Sequence, residues 1–147
     1  MKSGLKYEVG LCIKTGDIVW INGPFPCGKN HDVQVFRKSL LSHLEEGERV
    51  EADDGYIGEA PVHVVKCPMS FTNPVENEDM QQRLRNRHET VNKRFKNWGI
   101  LKQVYRNRDK IDLHGEVFRA VAVITQLAFK EGEPLFSVEY NDSNDNE

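Results

Sequence analysis

The chain has 147 residues and 38% hydrophobic content, enough for one domain with a core of its own. No stretch approaches the roughly 18 to 20 apolar residues of a membrane span, and no apolar run follows the lysines of MKSGLKYEVG as in a secretory signal, so a membrane protein is not expected. Cys12, Cys27 and Cys67 are odd in number and scattered; they argue against a disulfide framework and for a reducing compartment, nucleus or cytoplasm.

The net charge of -3 hides a division. Between Gln81 and Lys110 ten lysines and arginines face only Glu89 and Asp109, and the remainder of the chain is acidic. Such a segment is either a solvated helix face or a surface for a polyanion.

In chain order, LKYEVGLCIK and DIVWINGPF are β-rich runs joined by TGD, a hairpin with its tight turn at Gly16. After the break GPFPCGKN, Asp32 is placed to cap a helix in which Val33, Phe36, Leu40, Leu41 and Leu44 recur at helical spacing and which Gly47 ends. ERVEAD predicts a third strand, and the proline-marked loop from Tyr56 to Pro74 holds room for a brief strand in VHVVK. The longest helix is predicted from about Glu76 to Trp98, with Met80, Leu84, Val91, Phe95 and Trp98 on one stripe and Gly99 as its stop. A second helix, about Gly115 to Lys130, is apolar enough to be buried against the sheet. PLFSVEY is read as a short strand, and NDSNDNE as a polar tail with nothing to bury. The reading is therefore one domain over 1–130 and an extension over 131–147.

Candidate chemistry gathers at Asp53, Asp54 and Glu89. A carboxylate at a strand end and another midway along a helix converge if the helix packs beside the strand, and such oxygen ligands suit Mg²⁺ or Mn²⁺ better than Zn²⁺. Arg85, Asn92, Lys93 and Lys96 stand at i-4, i+3, i+4 and i+7 from Glu89, on its side of the helix. Two readings of Glu89 stay open: a surface residue in i,i+4 pairs, or a ligand for a catalytic cation whose basic neighbours hold a phosphodiester.

The segments GLKYEVGLCIKTGDIVWINGPFPCG, NHDVQVFRKSLL, GERVEADDGYIGEAP and RNRHETVNKRFKNWGILKQVYR resemble the catalytic core of DDE superfamily transposases of the Harbinger-like group. The resemblance runs from about Gly4 to Phe129. Its most specific parts are Asp-x-Gly-Tyr at Asp53 to Tyr56 and the element of Arg85, Glu89 and Lys96, with thirty-five residues between Asp53 and Glu89. It implies an α/β fold of the RNase H-like kind, a mixed sheet flanked by helices, and a metal-dependent DNA endonuclease or strand-transfer activity in which Asp53 and Glu89 bind Mg²⁺ or Mn²⁺. Arg85, Asn92, Lys93 and Lys96 then contact DNA, Asp54 takes a supporting or solvated role, and Tyr56 either hydrogen-bonds a phosphate or closes the turn.

In that family the first catalytic aspartate lies on a strand before the hairpin, and this chain opens with the hairpin. Neither Asp17 nor Asp32 occupies the expected place. The expectation is a domain lacking the first strand, weak or inactive alone unless a partner chain or homo-oligomer completes it, with a non-catalytic DNA- or protein-binding remnant as the alternative. An absent central strand leaves open edges that favour association.

Other signals rank lower. Cys27, His31, His63 and Cys67 have permissive zinc spacing but lie in loops. Nothing orients Cys27 and His88 as nucleophile and base, and no glycine run forms a phosphate cradle. Trp20 and Trp98 read as packed residues before they read as base-stacking platforms.

Overall fold

The computed structural model describes residues 4–66, 74–106 and 108–139. Strands β1 (Leu5–Leu11) and β2 (Ile18–Pro26) pair antiparallel, with Val9 opposite Ile21 and Gly10 opposite Trp20. The predicted turn closes them: the Cys12 amide donates to Asp17 O, and the Gly16 amide to Cys12 O, both at 2.8 Å. Alternation along β1 turns Tyr7, Val9 and Leu11 toward the core.

That core is built by two helices. From α2 (Pro74–Asn97) come Val91 and Phe95, and from α4 (Ile111–Glu131) come Phe118, Val121 and Ala122. The Tyr7 ring stacks on Phe118 with centroids 3.8 Å apart, and Phe95 meets Phe118 edge-on at 5.1 Å. Val91, Phe95, Phe118 and Val121 each contribute about 1.5–3 kcal/mol by this burial.

Between hairpin and α2 the chain forms α1 (Asp32–Lys38), a 3-10 turn at Leu40–His43, the three-residue strand β3 (Val50–Ala52), a second 3-10 turn at Asp54–Glu59 and β4 (Val64–Lys66). Strands β3 and β4 run parallel, Val50 opposite Val64. The short α3 (Gly99–Lys102) follows α2, and a 3-10 turn, Arg108–Lys110, leads into α4.

The protein is thus mixed α/β, and its described strands form two separate two-stranded sheets. Several sequence expectations shift. Asp32 is the first residue of α1 and makes no cap bond; His31 stands at the cap. Ser39, with φ -135° and ψ -80°, divides the expected helix into α1 and the 3-10 turn. Helix α4 starts at Ile111, four residues before Gly115, and only one side of it is buried. Gly115 is a point of close approach: a Cβ there would stand 2.9 Å from Pro24 Cδ. PLFSVEY is not a strand over its described residues, although Val138 is buried and Leu135 packs on the core. Trp98 is 38% exposed at the break between α2 and α3. The NDSNDNE tail lies outside the described residues. No described helix is long and apolar enough to cross a membrane.

Candidate metal and nucleic-acid site

Asp53 follows β3 directly and caps the 3-10 turn after it. Its Oδ1 accepts from the Gly55 amide at 2.9 Å, and its carbonyl accepts from the Tyr56 amide at 3.1 Å. Asp53 is exposed. Asp54 supplies backbone to the same turn; its side chain is outside the described ones.

Tyr56 joins this turn to the rest of the protein. Its hydroxyl stands 3.5 Å from Glu8 Oε1 on β1, and its ring meets Phe36 of α1 edge-on, centroids 5.9 Å apart. Glu8 is 8% exposed and accepts from Trp20 Nε1 at 2.8 Å. Asp32 takes a 2.7 Å ion pair from Lys6 Nζ on Oδ1 and turns Oδ2 toward Gly55. A Cβ at Gly55 would lie 2.9 Å from Asp32 Oδ2 and 3.0 Å from Asp53 Oδ1, so a larger residue there would displace one of the two carboxylates. Burial, and then the charges of Glu8, Asp32 and Asp53, push the Tyr56 hydroxyl well above its ordinary range, and it remains protonated as a donor.

The structure therefore collects Glu8, Asp32 and Asp53 around Tyr56. Glu8 was not among the candidates read from sequence. The signal available was the period-2 alternation, which puts charged Lys6 and Glu8 on one side of β1 opposite the apolar Tyr7 and Val9.

Glu89 lies elsewhere on α2, exposed together with Arg85, Lys93 and Lys96. Asn92 is half-buried, its Nδ2 3.3 Å from His88 Nδ1, while His88 Nε2 is 2.9 Å from Val9 O. No hydrogen bond or ion pair joins Glu89 to Asp53 among the described residues. One side chain of α2, Gln81, reaches Glu51 of β3. Burial raises the Glu51 carboxyl above its ordinary range, and a hydrogen bond from the Gln81 side chain of α2 acts against that shift. From Gln81 to Glu89 the helix rises about 12 Å, which carries Glu89 along the axis from that contact.

The basic residues of α2 divide in two. Arg83 donates to Ser137 O, Arg94 to Glu133 O, and Arg87, 2% exposed, to the carbonyls of Cys12 and Ile13. These fasten the fold. Arg85, Lys93 and Lys96 remain on the outer side, where they form a positive row.

Oxygen donors such as Asp53 and Glu89 match the chemistry of a hard cation, yet among the described residues no three His, Cys, Asp or Glu side chains are gathered to hold one. Of the zinc-type set, Cys27 and His31 are exposed, and Cys67 lies outside the described residues.

No protein-family model matches this chain, and no curated protein or solved structure does either.

Proposed function

We propose that this chain is a DDE-type, transposase-derived nuclease domain with an RNase H-like fold, engaging DNA along the outer side of α2. The observation that carries the reading is the position of Asp53. It stands at the carboxyl end of β3 in a parallel pair, the end at which open α/β sheets carry their sites. The succession of antiparallel hairpin, helix, parallel pair and long helix supports the same reading. Asp53 and Glu89 are the proposed ligands of Mg²⁺ or Mn²⁺, an ion that when bound supplies an activated water for attack on a phosphodiester. Arg85, Lys93 and Lys96 hold the backbone of the DNA, with Asn92 at the margin of that row. Tyr56, through Glu8 and Phe36, holds the Asp53 turn in place.

One observation favours the second reading, a DNA- or protein-binding domain without catalysis: Glu89 stands exposed with no bond to Asp53, so a metal centre needs further carboxylates or movement of α2. The two readings separate on supercoiled plasmid. Nicking that requires Mg²⁺ or Mn²⁺ and disappears in both Asp53→Asn and Glu89→Gln supports the nuclease. Absence of nicking with either metal, while salt-sensitive DNA binding persists, rejects catalysis and leaves the binding domain.

A further inference from the structure

We propose that the outer side of α4 is a dimer interface at which two copies of this chain pair their α4 helices antiparallel about a two-fold axis. The helix is apolar on two sides. Its core side carries Phe118, Val121 and Ala122, all buried. About 130° around the helix runs a second stripe, Leu113, Val117, Ala120, Ile124 and Leu127. Leu113, Ile124 and Leu127 are 52%, 47% and 54% exposed, Ala120 is exposed and Val117 half-buried.

The stripe has the spacing of a helix-pairing seam. Its steps of four, three, four and three residues form heptads, with β-branched Val117 and Ile124 at one core position and Leu113, Ala120 and Leu127 at the other. A helix that packs only on its own domain needs one apolar side; a second, seam-spaced one facing water is the mark of a partner helix.

Charge chooses the orientation. The solvent-side flank of the seam carries Glu116, Val123 and Lys130, seven residues apart. The opposite flank carries His114 and Val121, which are buried in the domain's own core. Parallel pairing sets one flank against the other and leaves Glu116 and Lys130 without charged counterparts. Antiparallel pairing sets the solvent-side flank against itself in reverse. Val117 then faces Leu127, Ala120 faces Ile124, and Val123 meets its own copy near the axis. Glu116 of each chain reaches Lys130 of the other, twice per dimer. Opposed helix dipoles add to this preference. Glu116 also pairs with Arg119 of its own chain, 3.4 Å apart and exposed on both sides, a weak surface contact that does not fix its direction.

The test is sedimentation equilibrium of the whole chain over a concentration series, with circular dichroism verifying that each variant keeps its helix content. The expected result is a monomer–dimer equilibrium. Ile124→Lys is expected to weaken it about a hundredfold, because a lysine is buried at both symmetric positions. Glu116→Lys is expected to weaken it about tenfold, and Glu116→Lys combined with Lys130→Glu to restore it. If Ile124→Lys loses its fold, Ala120→Glu replaces it at the same seam. Val123→Cys should form a covalent dimer under mild oxidation beyond any formed by the parent chain. A monomer at every concentration overturns the proposal. So does a dimer indifferent to Ile124→Lys and Glu116→Lys, and a double charge reversal that fails to restore association overturns the antiparallel arrangement.

Discussion

The Tyr7 hydroxyl lies 2.6 Å from Nδ1 of His114, joining the first strand to the first turn of α4 across 107 residues. His114 is 8% exposed, with Tyr105 edge-on to its ring at 4.7 Å. Burial lowers the imidazole below its ordinary 6.5, and burial also pushes the Tyr7 hydroxyl up to about 12, so the pair is held neutral, phenol to imidazole.

This pair gives the fold an acid sensitivity of defined sign. With a depressed folded value, the stabilisation is fully present above 6.5 and is lost as pH falls toward the folded value, because the unfolded chain takes up the proton first. The melting temperature should therefore fall between pH 7 and pH 5. His114→Phe keeps an aromatic ring but cannot titrate, and should show a shallower fall over the same interval. Equal slopes for the two proteins would remove His114 as the cause.

Arg85 and Arg87 stand two residues apart and are expected to behave oppositely. Arg87→Ala leaves the carbonyls of Cys12 and Ile13 without their donor and opens a cavity beneath the hairpin turn, a loss of about 2–4 kcal/mol in denaturant unfolding. Arg85→Ala should change stability by less than about 0.5 kcal/mol. Its effect belongs in the DNA-binding curve.

The outer row predicts a salt signature. Replacing Arg85, Lys93 and Lys96 together by alanine should reduce the slope of log K against log salt by about 2 to 3 and weaken binding to all sequences alike. An unchanged slope would move the DNA contact away from α2.

Gly55→Ala tests the turn that presents Asp53. Its Cβ would meet Asp32 Oδ2 at 2.9 Å and Asp53 Oδ1 at 3.0 Å, so one carboxylate must move. A stability change of no more than about 1 kcal/mol is expected, with loss of any metal-dependent nicking. Retained activity at full stability would show that the position of Asp53 is not critical.

Local patterns made much of the architecture legible. The TGD turn, the alternation in ERVEAD and VHVVK, and the stripe of Val91 and Phe95 each depend on neighbours within a few residues, and each forms the element expected. What was hidden depends on contacts between distant segments. Gly115 reads as a helix start until Pro24 is found pressed against it. Asp32 reads as a cap until Lys6, 26 residues away, takes its carboxylate. Glu8 looks like an ordinary strand residue until Trp20 and Tyr56 close over it. Within the basic segment, helical spacing alone set Arg85, Lys93 and Lys96 on the side of Glu89, but only the fold shows that Arg83, Arg87 and Arg94 are bonded to carbonyls.

The turn between β1 and β2 is fastened from two distant points, by Arg87 of α2 and by Gln126 of α4, whose amide donates to Asp17 and accepts from the Ile18 amide. A hairpin forms from local contacts within microseconds, but these fastenings span 75 and 109 residues. During synthesis the hairpin is thus made well before the residues that fasten its turn. Until α4 has left the ribosome, the hairpin's inner face of Tyr7, Val9 and Ile21 lacks the Phe118 and Val121 side chains that cover it, and stays open to solvent and to chaperones.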